Sequence, residues 1–436
     1  MRRVAALLAA LLLAVVLTPA AAAEETGHLT GTLPSGARWV ADVPESWNGT
    51  IILYSHGFGP LEPQNAPDAD TARALLADGY ALVGSSYSGP SLWALESAVR
   101  DQFGALAALE ARIGPAHRTL AWGTSMGGLV SALEAEDARH RIDGALTTCG
   151  LVGGALNLNN YQLDGEYALS RLLAPGQDVK LVRYGSQDEA NAAAATLAGI
   201  TNAAQATPAG RARIALAAAL MNVPTWYTGD AAPRDYETQE QQQEQALTQF
   251  VLGFVLSGRY QVELAAGGNS AANAGVDYRA LLERSSHAPQ VKALYRRAGL
   301  DLQADLAALT RDADVKADPR AVATLARTSV PTGRIRVPEL TIHTVADQLV
   351  PVEQENWYGR LVTGAGRGQL LRQAYVEGTG HCAFRPAETI AALHALEFRV
   401  STGIWADRAE PERLNAAAGT GRYVRFAVPP LTGARR

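Results

Sequence analysis

The sequence predicts an α/β protein: a mostly parallel sheet flanked by helices, with a large helical insertion after the sixth strand. Three observations carry this. Apolar patterns of period 2 and period 3.6 alternate from Thr50 to Thr148. The alternation stops near Gly153 and resumes at Pro338. Between those points the chain reads as helices with little strand signal. Strand–helix alternation implies parallel pairing through right-handed crossovers, and therefore a sheet covered on both faces.

The elements follow in order. His28 to Leu33 and Ala37 to Val43 alternate around the turn Pro34-Ser35-Gly36, and Thr50 to Tyr54 is a buried-strand run. Thr71 to Asp78 predicts a short helix and Tyr80 to Ser85 a strand. Trp93 to Ile113 is a long amphipathic helix; Arg118 to Trp122 is a strand, Gly127 to Ala138 a helix and Ile142 to Thr148 the sixth strand. In the insertion, Glu189 to Leu197, Arg211 to Met221, Gln239 to Ser257, Ala280 to Arg284, Gln290 to Arg297 and Leu302 to Thr310 have helical patterns. Its Glu237, Glu240 and Glu244 read as a solvated helix face. The sheet resumes with Pro338 to His343, a helix from Glu353 to Val362 and a strand from Leu370 to Val376, and Pro386 to Ser401 is the last clear helix.

Composition bounds the function. The 436 residues are 47% hydrophobic and 19% charged, a globular balance. The net charge of −5, with no clustered Lys and Arg, gives no field for nucleic acid. Arg2-Arg3, the apolar run Val4 to Leu17 and the small-residue site Ala21-Ala22-Ala23 read as a signal peptide over residues 1–23. That run is shorter than the ~20 residues a membrane span needs. The expected product is exported, with no membrane association after cleavage. The expected organisation is a core over 24–152 and 333–436, with a helical lid over 153–332. Two cysteines, Cys149 and Cys382, permit one disulfide in an exported chain, or two buried thiols.

Four local motifs carry chemistry. Gly123-Thr124-Ser125-Met126-Gly127 follows a strand and opens a helix, as a G-x-S-x-G nucleophile elbow requires. Ser55-His56-Gly57-Phe58 follows a buried strand, where a His-Gly turn supplies a backbone donor to an oxyanion; the candidates are the amides of Phe58 and Met126. His56 itself reads as a residue that fixes this loop. Asp347 follows the strand Leu340 to His343 in a turn, and His343 within that strand reads as packed. His381 follows the last strand in Glu377-Gly378-Thr379-Gly380. The order Ser125, Asp347, His381, each after a strand, is that of nucleophile, acid and base.

On these motifs the chain resembles the α/β-hydrolase superfamily, and more narrowly secreted bacterial serine hydrolases, esterase-like, with a large helical insertion. The resemblance covers about residues 28–153 and 333–403. It implies Ser125 as nucleophile, His381 as base, Asp347 as the acid that orients it, and Phe58 and Met126 amides as the oxyanion hole. Cys382 beside His381 is similar to tannase and feruloyl esterase sequences, where the matching Cys pairs with one next to the nucleophile. Thr124 stands there in this chain, so the resemblance implies a Cys149–Cys382 bridge holding the His381 loop.

The expected activity is hydrolysis of a carboxylic ester, small or polymeric, through an acyl-enzyme, with no metal and no cofactor. An aminopeptidase of the same fold is the alternative, with Glu237, Glu240 and Glu244 as candidates for its amino-terminus site. A non-catalytic binding protein on the same scaffold is a third reading. Tyr87, Trp93, Trp226 and Tyr227 are candidate pocket residues.

Overall fold

The computed structural model describes residues 26–137 and 139–435. The signal-peptide reading of residues 1–23 lies outside them. Among the described residues no helix is long and apolar enough to cross a membrane.

Nine strands form one sheet: β1 (Gly27–Thr32), β2 (Arg38–Val43), β3 (Thr50–Ser55), β4 (Ala81–Ser85), β5 (Arg118–Thr124), β6 (Gly144–Thr148), β7 (Glu339–Ala346), β8 (Leu371–Thr379) and β9 (Tyr423–Val424). Their order is β1-β2-β4-β3-β5-β6-β7-β8-β9. The six strands from β4 to β8 pair parallel, while β1, β2 and β9 add antiparallel edges. Period-2 alternation divides each central strand between two cores. Ile51, Leu53, Ala121 and Ala145 face one side, against α2 (Leu95–Ile113), α3 (Met126–Ala135) and α13 (Glu353–Gly364). Ile52, Tyr54, Leu120, Trp122 and Leu146 face the other, against α1 (Ala69–Ala77), α14 (Pro386–Thr402) and α15 (Pro411–Ala418). Strands buried on both faces explain why β3, β4 and β6 are apolar runs without polar alternation.

The segment between β6 and β7 is helical: α4 (Gly154–Leu173), α5 (Gln187–Ala204), α6 (Pro208–Met221), α7 (Tyr236–Ala246), α8 (Leu252–Ala266), α9 (Tyr278–Arg284), α10 (Ala288–Ala298), α11 (Leu302–Asp312) and α12 (Pro319–Thr328). A π-helical turn, Leu247–Val251, joins α7 to α8. Small side chains let α6 sit at the centre, buried on nearly every side from Ile214 to Met221. This core is continuous with Met126, Leu129 and Val130 of α3, so the helices share their interior with the end of the sheet where Ser125 lies. The carboxy-terminal segment returns to it: Arg435 pairs with Asp164 of α4, and Thr432 N donates to Asn222 Oδ1 at 2.9 Å.

One sequence expectation fails here. Glu240 and Glu244 of α7 are buried, not solvated; only Glu237 is exposed, in an ion pair with Arg297. Glu240 packs toward α5, where Gln205 Nε2 donates to it at 3.2 Å, and burial pushes its carboxyl up to about 7. The Gln-rich helix is wedged between neighbours, and its polar residues are held by side-chain bonds such as Gln243 Nε2 to Val223 O.

Glu134 of α3 is fully buried, and neither carboxylate oxygen has a hydrogen-bond partner. Burial raises its pKa well above 4.5, against a weaker opposing pull from Arg141. The folded state therefore keeps a proton that the unfolded chain releases above about pH 4.5, and stability is lost as pH rises through that range. Glu134→Met is expected to stabilise the fold by about 1–3 kcal/mol at pH 8 and much less at pH 4. Calorimetric melting at both values checks this; an equal gain at both would contradict it.

Candidate active site

Ser125 lies between β5 and α3 with φ 60° and ψ −120°, a left-handed backbone that costs a non-glycine residue on the order of 1–3 kcal/mol. The surroundings hold it there. Ser125 N donates to Thr148 O at 3.0 Å, and its carbonyl accepts from Gly128 N at 2.9 Å. The turn is tight enough that a Cβ on Gly123 would strike the Gly127 carbonyl, and one on Gly127 would strike the Ser55 carbonyl of β3. Both glycines are thus required by close backbone approach. Met126 opens the helix, so its amide has no carbonyl one turn back.

Asp347 follows β7 and His381 follows β8. The parallel register shifts between Thr344 and Ala346, and Gly380 N then donates to Ala346 O at 3.2 Å. This irregularity sets Asp347 beside the His381 ring. His381 Nδ1 lies 2.7 Å from Asp347 Oδ2, and His381 Nε2 lies 2.8 Å from Ser125 Oγ. Asp347 is buried, and its other oxygen accepts from the amides of Leu349 and Val350, each at 2.9 Å. Burial alone would raise its pKa; His381 and His343 outweigh this and hold it well below the carboxylate range. The structure brings Ser125, His381 and Asp347, read from segments up to 256 residues apart, into one hydrogen-bonded chain.

His56 is buried, and burial lowers its pKa, so the ring is neutral. It stacks on Tyr87 at 4.2 Å, and Tyr87 Oη donates to His56 O at 3.0 Å. Both residues thereby shape the 56–58 loop. A Cβ on Gly57 would lie 3.3 Å from Ser125 Cβ, which puts this loop directly against the serine. The Phe58 ring packs edge-on to Phe254 of α8.

Cys149, at the end of β6, is bonded to Cys382, with Cα atoms 5.3 Å apart. Cys382 Sγ is 3.4 Å from His381 Nε2, so the bridge ties the histidine loop to the central sheet. Cys149→Ser with Cys382→Ser is expected to cost about 2–4 kcal/mol, read from the denaturant midpoint of oxidised protein; an unchanged midpoint would show that the bridge contributes nothing.

Ser125 opens onto a narrow pocket. Phe58, Trp93, Leu151 and Leu158 line it with Phe254 and Val262 of α8, and Leu349 and Val350 close it beside Asp347. Of the aromatic candidates from sequence, Trp93 reaches this cavity. Trp226 and Tyr227 do not; Trp226 Nε1 is bonded to Gly229 O, and Tyr227 N to Gln242. Glu237, Glu240 and Glu244 are also absent from its lining. Sequence reasoning missed three polar lining residues, Asn159 and Gln162 of α4 and Arg259 of α8. The i, i+3 spacing of the α4 pair was the available signal.

No family model matches the chain. It is 29% identical over 430 residues to an o-phthalyl amidase from Xanthobacter agilis, covering 91% of this chain and 92% of that one. Among solved structures, an esterase from Aspergillus oryzae is 16% identical with a TM-score of 0.43, covering 85% of this chain and 78% of that chain. Pyrococcus horikoshii acylaminoacyl peptidase is 11% identical with a TM-score of 0.40, covering 86% of this chain but 41% of its own. The sheet order, the strand–turn–helix at Ser125 and the sequence order of Ser125, Asp347 and His381 make this chain an α/β-hydrolase in fold.

Proposed function

We propose that this chain is an exported serine hydrolase that cleaves the amide or ester of a small aromatic carboxylic acid. The observation that carries the reading is the Ser125–His381–Asp347 chain opening onto a narrow, aromatic-lined cavity. His381 takes the Ser125 proton at Nε2 as Oγ attacks the carbonyl, while Asp347 steadies the imidazolium through Nδ1. The Met126 amide, at a helix N-terminus, and the Phe58 amide stabilise the oxyanion. His381 then protonates the departing amine or alcohol, and water resolves the acyl-enzyme. The residues of α4 and α8 wall the acyl pocket as a lid.

Sequence alone favours an ester. The likeness to an o-phthalyl amidase, over nearly the full length of both chains, extends the reading to amides of an aromatic acyl group. The aminopeptidase reading loses support, because its three candidate carboxylates lie away from the Ser125 cavity. The test combines a fluorophosphonate probe with three substrates: a benzoyl p-nitroanilide, its p-nitrophenyl ester and a free-amino aminoacyl anilide. Labelling of Ser125 with turnover of the aroyl compounds supports the proposal. Turnover of the aminoacyl anilide alone would replace it with the peptidase, and failure to label would leave a binding scaffold.

A further inference from the structure

Glycine is the poorest helix former short of proline, so a glycine inside a helix calls for a reason. Most of the described helical glycines have one. At Gly104, Gly127, Gly128, Gly165, Gly210 and Gly359 a Cβ would stand 2.9 Å or closer to a neighbouring atom, and glycine alone lets the packed partners approach. Gly199, Gly253 and Gly364 are exposed, with nothing within 4 Å. Gly258, in the middle of α8, fits neither case. It is half-buried, its backbone is helical, and a Cβ there would meet only the Phe58 ring, at 3.8 Å, an ordinary contact. Neither packing nor backbone conformation excludes a side chain at this position. What Gly258 and Phe58 both border is the Ser125 pocket. Phe254, Gly258 and Val262 stand one turn apart on the pocket-lining stripe of α8, so the stripe has a gap between two large side chains.

We propose that Gly258 sets the size of the acyl group this pocket accepts: the gap it leaves between Phe254 and Val262, edged by Phe58, seats the planar ring of the aromatic acyl group. This deepens the aromatic acyl reading above and rests on it. A ring lying in the gap touches bare helix backbone, and any side chain at position 258 would hold it off by at least a methyl group. A short acyl group leaves the gap empty and does not sense its width. Apolar pockets discriminate by about 10–200-fold per methylene, so one added methyl at the right place falls within a measurable range. The Phe58 ring needs no displacement to admit an alanine, because 3.8 Å is already van der Waals distance. The loop that carries the Phe58 amide therefore keeps its position in that variant, and a change in substrate preference reads the gap itself.

The test is kcat/KM on the p-nitrophenyl esters of acetic, benzoic and 2-naphthoic acids, with the native chain, Gly258→Ala and Gly258→Leu. The leaving group is constant, so the ratio of an aroyl ester to the acetate reads the acyl side alone. Alanine is expected to lower the naphthoate-to-acetate ratio by about tenfold or more, and leucine to lower the benzoate-to-acetate ratio by about 100-fold. The alanine variant is also expected to melt no lower than the native chain, since alanine is the better helix former and its Cβ has room. It carries the test alone if the leucine variant does not fold. Unchanged ratios, or acetate and aroyl esters falling together, would overturn the proposal while leaving the aromatic acyl reading standing. An alanine variant that melts lower would overturn it too, because the glycine would then serve packing. A native chain that cleaves neither aroyl ester nor the matching anilides would remove the aromatic acyl reading, and the size limit with it.

Discussion

Ser125→Ala is expected to lower kcat by about 10⁴–10⁶-fold on any substrate the chain hydrolyses. The loss is large because no other nucleophile stands in this position: Oγ is the atom 2.8 Å from His381 Nε2, at the mouth of the cavity. The fold should tolerate the change. Glycine contacts, the Thr148 carbonyl and the disulfide hold the turn through backbone, and none needs the hydroxyl. Removing Oγ also relieves no backbone strain, since alanine meets the same left-handed φ. KM should change little, because the apolar lining is untouched. A variant that retains more than about one per cent of native kcat would show that Ser125 is not the nucleophile, by the scale on which such substitutions act. Covalent probe labelling would vanish in step with turnover.

Much of this arrangement is legible in the sequence because each of its parts is local. The buried runs Thr50 to Tyr54 and Ile142 to Thr148 declare strands on their own, and Ser125, Asp347 and His381 each stand directly after one. Strand-end position and sequence order then suffice to group them. The polar wall of the cavity lacks such a signature. Gln162 and Arg259 lie almost 100 residues apart, on helices whose buried faces mix amide, acid and apolar residues. Helix α4 buries Asn157, Asn159, Gln162, Asp164 and Glu166 together, so its period-3.6 apolar pattern is blurred and does not declare a helix on its own. The same blindness inverted Glu240 and Glu244, for charge in a sequence reads as solvent unless the partner is known. Burial of His343 was legible from its strand, but its partners come from a turn and from α13.

Those partners make His343 the second site of large expected effect. The ring is fully buried, with Nε2 2.8 Å from the Val350 carbonyl and Nδ1 3.1 Å from Glu355 Oε1. A carbonyl and a carboxylate can only accept, so both nitrogens must donate and the ring is an imidazolium. Burial opposes that charge; Asp347 and Glu355 overcome it and push the pKa up to about 10. Nε2 is also 3.6 Å from Asp347 Oδ2, the oxygen that faces His381. A fixed positive charge thus stands behind Asp347 and lets it stay ionised without water. His343→Gln removes the charge but keeps a donor. It is expected to lower kcat by about 10²-fold, the scale of a displaced catalytic group, and to move the acid limb of the pH–rate profile upward. The single variant also strands Glu355 as a buried unpaired charge, at a cost of about 3–5 kcal/mol. The double variant His343→Gln, Glu355→Gln removes that penalty, so a recovered melting temperature with kcat still depressed would separate positioning of Asp347 from stability. Full recovery of kcat together with stability would show instead that His343 serves the fold alone.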